Sequence, residues 1–215
     1  MSDPDLLRGR ARAQSTVSVA DGAAMDEDEE VSGGIRVSVR IRPLNERELN
    51  ENQTILWECT ETSLKCEHQK GHKNFTFDNV FSNACTNEEV YLAVAKPLVA
   101  QAMQGYNGTV FTYGQTGSGK THSILGNDQD PGITIRCIGD IFKHIRANPD
   151  VEYSLKVSYM EVYNEEINDL LSEGEEGRNL RILQDDPVKG PVIGGLTEED
   201  VPDEGAVRLA ALKDF

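Results

Sequence analysis

The stretch Gly114-Gln115-Thr116-Gly117-Ser118-Gly119-Lys120-Thr121 fills every fixed position of the phosphate-loop pattern G-x-x-x-x-G-K-S/T. Glycines in such a loop let the backbone approach closely, so that its N–H groups point at phosphate oxygens. Lys120 supplies a positive charge for the phosphates, and the hydroxyl of Thr121 is a ligand for Mg²⁺. The stretch therefore predicts a site for a phosphorylated ligand and its metal ion.

The residues before and after this stretch supply the context that a phosphate loop needs. Thr109–Tyr113 is a β-branched and aromatic run that ends directly before Gly114, and the turn residues 106–108 precede it. A helix that opens at Lys120 would add the partial positive charge of its N-terminus to the site. A merely flexible glycine loop is the alternative, and the strand-loop-helix order favours the phosphate site.

Charge and composition exclude several classes of protein. The chain has 215 residues, 38% of them apolar, which is enough for one sizeable domain. Its formal net charge of -16 argues against nucleic-acid binding, which needs clustered Lys and Arg, and an acidic polymer partner would need a local basic patch. No apolar run approaches the roughly 20 residues that cross a bilayer, and the N-terminus is charged, so we expect a cytoplasmic protein without a membrane partner.

The chain divides into a tail and a domain. Residues 1–34 contain no aromatic residue and little apolar periodicity, which predicts a disordered tail. The pattern changes abruptly at Ile35, and we expect the domain to occupy residues 35–215.

An arginine-bearing strand opens the domain. Apolar and polar residues alternate from Ile35 to Arg42, so one face of the strand is apolar and the other carries a serine and three arginines. A solvated edge strand is one interpretation. Beside a phosphate loop, however, Arg40 or Arg42 could stack on or hydrogen-bond a nucleotide base while Pro43 packs against it.

Periodicity predicts the remaining elements. A capping box at Thr86 begins a helix that Pro97 should interrupt, and four apolar residues at helical spacing predict a second helix after the phosphate loop. Those four residues are Ile135, Ile138, Phe142 and Ile145. The other predictions are strands at 54–57, 74–77 and 151–159, a helix at 164–171, paired strands at 180–183 and 191–193, and a helix from 204 to 215.

The four cysteines are too few and too scattered for a disulfide framework, so we expect reduced thiols. A zinc site made of Cys59, Cys66, His68 and His72 is the alternative. Their spacing fits no usual zinc finger, which favours thiols and exposed histidines in a hairpin region.

Three runs in the chain resemble, in order and spacing, motifs of the kinesin motor domain. They are residues 39–45, 105–122 and 158–171. The resemblance covers about Ile35 to Phe215, and its middle sections look most like the centromere-associated kinesin subgroup. It implies an α/β fold of kinesin type, a phosphate-loop NTPase with a central mixed sheet and helices on both faces.

The resemblance also implies a ligand and a partner. Residues 114–121 would hold the phosphates of ATP, with Lys120 on the phosphates and Thr121 on Mg²⁺, and the adenine pocket would fall on Arg40, Pro43 and His122. The hairpin at about 180–197 would lie near a microtubule-contacting loop. The implied function is an ATP-dependent microtubule motor of the cytoskeleton, dimeric in its full-length form through a stalk outside these residues.

Two segments that kinesins use in hydrolysis do not occur in this sequence. They are Asn-x-x-Ser-Ser-Arg-Ser-His, which senses the γ-phosphate, and Asp-Leu-Ala-Gly-Ser-Glu, which positions water and metal. No catalytic residue is therefore identifiable, and we expect a head that is truncated before its switch strands and hydrolyses ATP poorly. The alternative function is a non-hydrolytic nucleotide-binding or interaction fragment. A different phosphate-loop enzyme, such as a kinase, is disfavoured because it gives residues 107–109 and 163–165 no role.

Overall fold

The computed structural model describes residues 15–20, 34–68, 71–186, 190–203 and 205. The chain divides into two compact units, Met1–Ile141 and Phe142–Phe215. In the part of the chain that the structure describes, no helix combines the length and apolar character needed to traverse a membrane.

A mixed sheet forms the centre of the first unit. Its strands are β1 (Ser15–Ala20), β2 (Ile35–Arg40), β6 (Asn79–Phe81) and β7 (Thr109–Tyr113), and their order is β6-β2-β1-β7. β2 runs parallel to β6, whereas β1 is antiparallel to both of its neighbours. The predicted strands at 35 and 109 are thus confirmed as members of one sheet.

Strand β1 lies inside the range 1–34, for which the sequence predicts disorder. The structure differs there, because Ser18 pairs with Val37 on one side and with Phe111 on the other. A strand held by two neighbours satisfies its backbone N–H and C=O groups through residues far away in sequence, which local composition cannot reveal. Apart from Gly34, the rest of the predicted tail lies outside the described residues.

The two faces of this sheet carry different cores. On one face Val39, Ile41 and Val80 pack with Leu64. On the opposite face Phe81 and Val110 pack against a helical cluster. That cluster consists of Val90, Tyr91, Val94, Ala95, Leu98 and Ile133.

The polar face of β2 is buried along the second half of the strand. Ser38 and Arg40 are only 2% and 6% exposed, as buried as Val39 between them. β2 is an interior strand with β6 on one side and β1 on the other, so neither of its edges is free. The interpretation of this strand as a solvated edge is therefore wrong.

A small antiparallel sheet lies between β2 and β6 in the sequence. It consists of β3 (Trp57–Cys59), β4 (Ser63–His68) and β5 (Gly71–Thr76) in that order. The strand predicted at 74–77 is confirmed as part of β5, whereas the strand predicted at 54–57 meets β3 only at Trp57. Trp57 is half-buried against the Val39 core, as expected for a packing residue.

The described residues contain five α-helices. They are α1 (Glu46–Asn50), α2 (Asn87–Val94), α3 (Lys96–Ala102), α4 (Lys120–Ile124) and α5 (Ile133–Ala147). The predicted capping box is confirmed, because the Thr86 side chain accepts from the N–H of Glu89 and the Glu89 carboxylate accepts from the N–H of Thr86. Pro97 lies in the first turn of α3, and the helix predicted from Thr86 is interrupted there. In α5, Ile135, Ile138 and Phe142 are buried as predicted.

Short antiparallel pairs of strands make up the second unit. β8 (Lys156–Val157) pairs with β13 (Glu199–Asp200), β9 (Met160–Tyr163) pairs with β10 (Glu166–Asp169), and β11 (Arg181–Asp186) pairs with β12 (Gly190–Gly194). A 3-10 turn lies at Glu175–Gly177.

Two predictions for this unit are wrong. The strand predicted at 151–159 is reduced to β8, and the helix predicted at 164–171 is the second half of the β9–β10 hairpin. Asn164 and Glu165 both have positive φ, 49° and 64°, which is the backbone of a two-residue hairpin turn. The apolar spacing of Ile167 and Leu171 fits a helix, but the turn chemistry decided the outcome.

The hairpin predicted at 180–193 is confirmed by the pairing of β11 with β12, in which Ile182 lies opposite Ile193. Its turn at 187–189 lies outside the described residues. So does the helix predicted at 204–215, except for Gly205.

Candidate functional site

The predicted strand-loop-helix arrangement is present. β7 ends at Tyr113, residues 114–119 form the loop, and α4 begins at Lys120. Gly117 and Gly119 have φ values of 78° and 102°, a region that residues with a side chain rarely adopt. Gly117 and Gly119 are therefore required by the turns that the loop makes before α4.

The ammonium group of Lys120 lies within the loop. Its Nζ donates to the carbonyl oxygens of Gly114 at 2.7 Å and Gln115 at 3.1 Å. The positive charge is thus held over the residues that the sequence assigns to phosphate binding. Thr121 and His122 follow on the first turn of α4, and both are exposed.

The end of β2 lies beside the loop. A Cβ built on Gly119 would be 4.0 Å from the Cβ of Arg42. The Arg42 guanidinium makes two hydrogen bonds to the Glu48 carboxylate, at 2.5 and 2.7 Å, and these bonds raise the pKa of Arg42. Pro43 is exposed next to it. The structure thus brings the loop and the Arg42–Pro43 segment together.

Arg40 lies deeper than the sequence suggests. Its guanidinium donates to the side chains of Asn87 and Ser123, at 2.5 and 3.0 Å, and to the carbonyl of Cys85 at 2.9 Å. Burial lowers the pKa of Arg40, partly offset by Cys85 and Asp130. Because the guanidinium donates to these acceptors, a contact with a nucleotide base would have to use the rest of the Arg40 side chain. That contact stays a prediction.

Sequence reasoning missed the residue at the centre of this network, Asn87. It is fully buried, and its Nδ2 donates to the carbonyl oxygens of His122 at 3.0 Å and Asp130 at 2.8 Å. Its backbone N–H donates to the Asp130 carboxylate at 2.9 Å. A polar residue at the first position of a capped helix is normally solvated, so the sequence offered no signal that could have found it.

Two more observations complete the site. Partial desolvation of the His122 ring lowers its pKa, and the nearby Arg40 charge lowers it further. Ser118 in the loop is 1% exposed, and its Oγ has no hydrogen-bond partner among the described residues.

The zinc alternative gains no support. In the ranges that the structure describes, no group of three or more His, Cys, Asp or Glu side chains is placed to hold a metal ion. Cys59 lies opposite Leu64 and Cys66 lies opposite Trp57, so the two thiols are not cross-strand partners.

Comparison with known proteins identifies the family. The model of the kinesin motor domain matches residues 40–211. This chain belongs to the kinesin motor domain family. The match confirms the expectation from the three motifs, and solved kinesins confirm the α/β fold.

Relatives of this kinesin chain come from distant organisms. It is 43% identical to human centromere-associated protein E over 171 residues, which cover 79% of this chain and 6% of that protein. It is 39% identical to the rice kinesin-like protein KIN-7D, chloroplastic, over 179 residues, 83% of this chain and 17% of that protein. Centromere-associated protein E is thus among the relatives, as the resemblance predicts.

Two solved structures share the kinesin fold of this chain. One is described as the structure of a fast kinesin, with a TM-score of 0.75 and 32% identity over 81% of this chain and 50% of that chain. The other is the KIF14 dimer in a two-heads-bound state, with AMP-PNP and in complex with a microtubule, with a TM-score of 0.71 and 31% identity over 81% of this chain and 51% of that chain. The chain thus spans about half the length of these kinesins and a smaller share of the curated relatives.

Proposed function

We propose that this kinesin chain is the N-terminal portion of an ATP-dependent microtubule motor head and that it binds MgATP through residues 114–121. The observation that carries the proposal is the loop between β7 and α4, with the Lys120 ammonium held inside it by two carbonyl oxygens. Membership of the kinesin family adds the expectation that the bound nucleotide changes the affinity of the head for a filament.

The residues present fit a bound nucleotide. No described atom would lie within 4 Å of a Cβ added at Gly117, so the outer side of the loop is open to a ligand. The buried Ser118 Oγ lacks a partner in the described part of the chain, and leaving such a group unpaired costs about 1–3 kcal/mol. Lys120 provides charge for the phosphates and Thr121 an exposed hydroxyl for Mg²⁺.

The adenine is assigned to the segment beside the loop. Pro43 and His122 are exposed and would supply the ring contacts, and the non-guanidinium part of Arg40 would lie behind them. The cofactor, when bound, supplies a phosphoanhydride whose cleavage drives the motor cycle. This chain's part is to bind and orient it.

The proposed filament is the microtubule, and the proposed location is the cytoplasmic cytoskeleton. Support comes from the KIF14 dimer, which was solved in complex with a microtubule. The proposed contact is the hairpin made by β11 and β12, where Arg181 is exposed. A local contact of this kind is needed because the net charge of the whole chain is -16. Dimerisation through a stalk outside these residues is part of the same proposal.

Nucleotide titration and phosphate release test the proposal in turn. The purified chain should bind ATP in the presence of Mg²⁺, with Lys120→Ala as the variant that removes the charge. Microtubule-stimulated phosphate release at motor-like rates would support the motor function. Binding without stimulated release would support the non-hydrolytic fragment instead. No uptake by a folded sample would refute both.

A further inference from the structure

Asn87 connects three separate segments through one buried side chain. Its Oδ1 accepts from Arg40 at the end of β2, and its Nδ2 donates to His122 on α4 and to Asp130 in the following loop. Both amide hydrogens and the amide oxygen are therefore used. Because none of Asn87 is exposed, removing its side chain would leave the buried Arg40 guanidinium and two carbonyl groups without these bonds.

The bond to His122 matters because α4 is short. A helix of five residues leaves most of its carbonyl groups without an intrahelical donor, and such a helix is not stable by itself. Asn87 supplies a donor for one of these carbonyls, directly after Thr121 in the chain. The orientation of the first turn of α4 thus depends on a residue of α2.

A second contact holds the same turn. Ser123, next to His122, is 1% exposed and accepts from the Arg40 guanidinium. Arg40 and Asn87 also bond to each other, so the end of β2, the start of α2 and the body of α4 form one closed set of hydrogen bonds. Such networks fix geometry more firmly than their separate bonds would.

The loop after α4 is attached to the same point. Asp130 accepts the backbone N–H of Asn87 with its carboxylate and the Asn87 Nδ2 with its carbonyl. Arg136 holds Asp130 from the other side, with an ion pair of 3.5 Å. A displacement of this loop would therefore also displace α4, because Asn87 is hydrogen-bonded to both.

We propose that Asn87 is a positioning residue of the nucleotide site, which sets nucleotide affinity by holding α4, and with it Lys120 and Thr121, against the end of β2. This inference rests on the proposed function, since it requires that Lys120 and Thr121 bind the nucleotide. Small displacements of binding groups are costly, so losing the hold on α4 should weaken nucleotide binding by about tenfold.

Two substitutions separate the bonds. Asn87→Ala removes all the side-chain bonds. Asn87→Asp keeps the side-chain volume and the acceptor for Arg40, but it replaces the donor to the carbonyl oxygens of His122 and Asp130 with an oxygen, which cannot donate to them. The matched control is Asn79→Ala. Asn79 is half-buried on β6 and donates to Ser38 at 3.1 Å, so its loss weakens the same sheet without touching α4.

Two measurements on the full chain test the proposal. The first is the dissociation constant of fluorescently labelled ADP with Mg²⁺. The second is amide hydrogen exchange of the nucleotide-free chain, compared between peptides covering 119–126 and 36–41. We expect both Asn87 variants to bind about tenfold more weakly and to exchange faster in 119–126 only, with Asn79→Ala within twofold of the wild type in both.

Unchanged affinity of the Asn87 variants would overturn the proposal, and so would an equal loss in Asn79→Ala, which would indicate general destabilisation. If the wild-type chain bound no nucleotide, the proposed function would fail at that point. The exchange measurement would still report separately whether Asn87 holds α4, so the two failures are distinguishable.

Discussion

Gly126, in the loop that follows α4, should be a position where any side chain strongly destabilises the fold. This residue has a φ of 72°, and a Cβ built on it would overlap the carbonyl oxygen of Asp130 and the nitrogen of Gly132, with the carbonyl carbon of Pro131 at 2.7 Å. Gly105, after α3, is the matched control. Its φ is 100°, and no described atom lies within 4 Å of its added Cβ.

The expected cost of Gly126→Ala can be worked out from these contacts. A left-handed backbone costs a residue with a side chain about 1–2 kcal/mol, and this applies to both glycines. The overlap at Gly126 also displaces the loop backbone, which breaks the hydrogen bonds from Gly132 to Leu125 at 2.8 Å and from Asn127 to Asp130 at 3.1 Å. At about 1 kcal/mol for each bond, the free energy of unfolding should fall by about 3–4 kcal/mol for Gly126→Ala and about 1–2 kcal/mol for Gly105→Ala.

Urea unfolding of both variants, followed by circular dichroism, measures the difference. Backbone strain alone predicts the opposite order, since 72° is closer to the left-handed minimum than 100° is. A loss in Gly105→Ala equal to or larger than that in Gly126→Ala would therefore refute the reasoning. It would mean that residues 126–132 do not form the close turn described here.

Three further predictions concern charge and ionisation. Lys120→Ala should abolish ATP binding in a calorimetric titration, because it removes the charge held in the loop, and undiminished affinity would overturn the site assignment. Burial opposes ionisation of Asp169, but hydrogen bonds from Thr197 and from backbone N–H groups outweigh it and hold its pKa below the usual value. The stability it adds should thus be present above about pH 4 and disappear as the pH falls through the lowered pKa, so acid titrations of the wild type and Asp169→Asn should converge at low pH. Burial raises the pKa of Cys85 to about 11 and that of Cys137 to about 12, so both should be alkylated at pH 8 more than about tenfold slower in the folded chain than in urea, and equal rates would contradict their burial.

Local chemistry explains why part of the fold could be read from the sequence. The strand-loop-helix order around residues 114–119, the cap at Thr86 and the break at Pro97 depend on residues within a few positions of each other, and all three are confirmed. The same local logic failed at Asn164, where a helical spacing of apolar residues competed with a hairpin turn. The sequence contains both signals, and the turn at Asn164 and Glu165 prevails in the fold.

Burial explains why the rest could not be read. Arg40 alternates with apolar residues as a solvated arginine would, yet β6 and β1 flank its strand and its guanidinium bonds to groups on α2 and α4. Strand β1 carries β-branched residues at Thr16, Val17 and Val19, but its place in the sheet depends on partners in β2 and, far along the chain, in β7.

The sequence by itself predicted the loop that we propose as the phosphate site, because the glycines, Lys120 and Thr121 act through backbone conformation and charge within eight neighbouring residues. It also determined the family, which the match over residues 40–211 confirms. Only the tertiary structure decided what holds that loop in place. Asn87, Ser123 and Asp130 are polar residues from separate segments, and their hydrogen bonds form only once folding has excluded water between them.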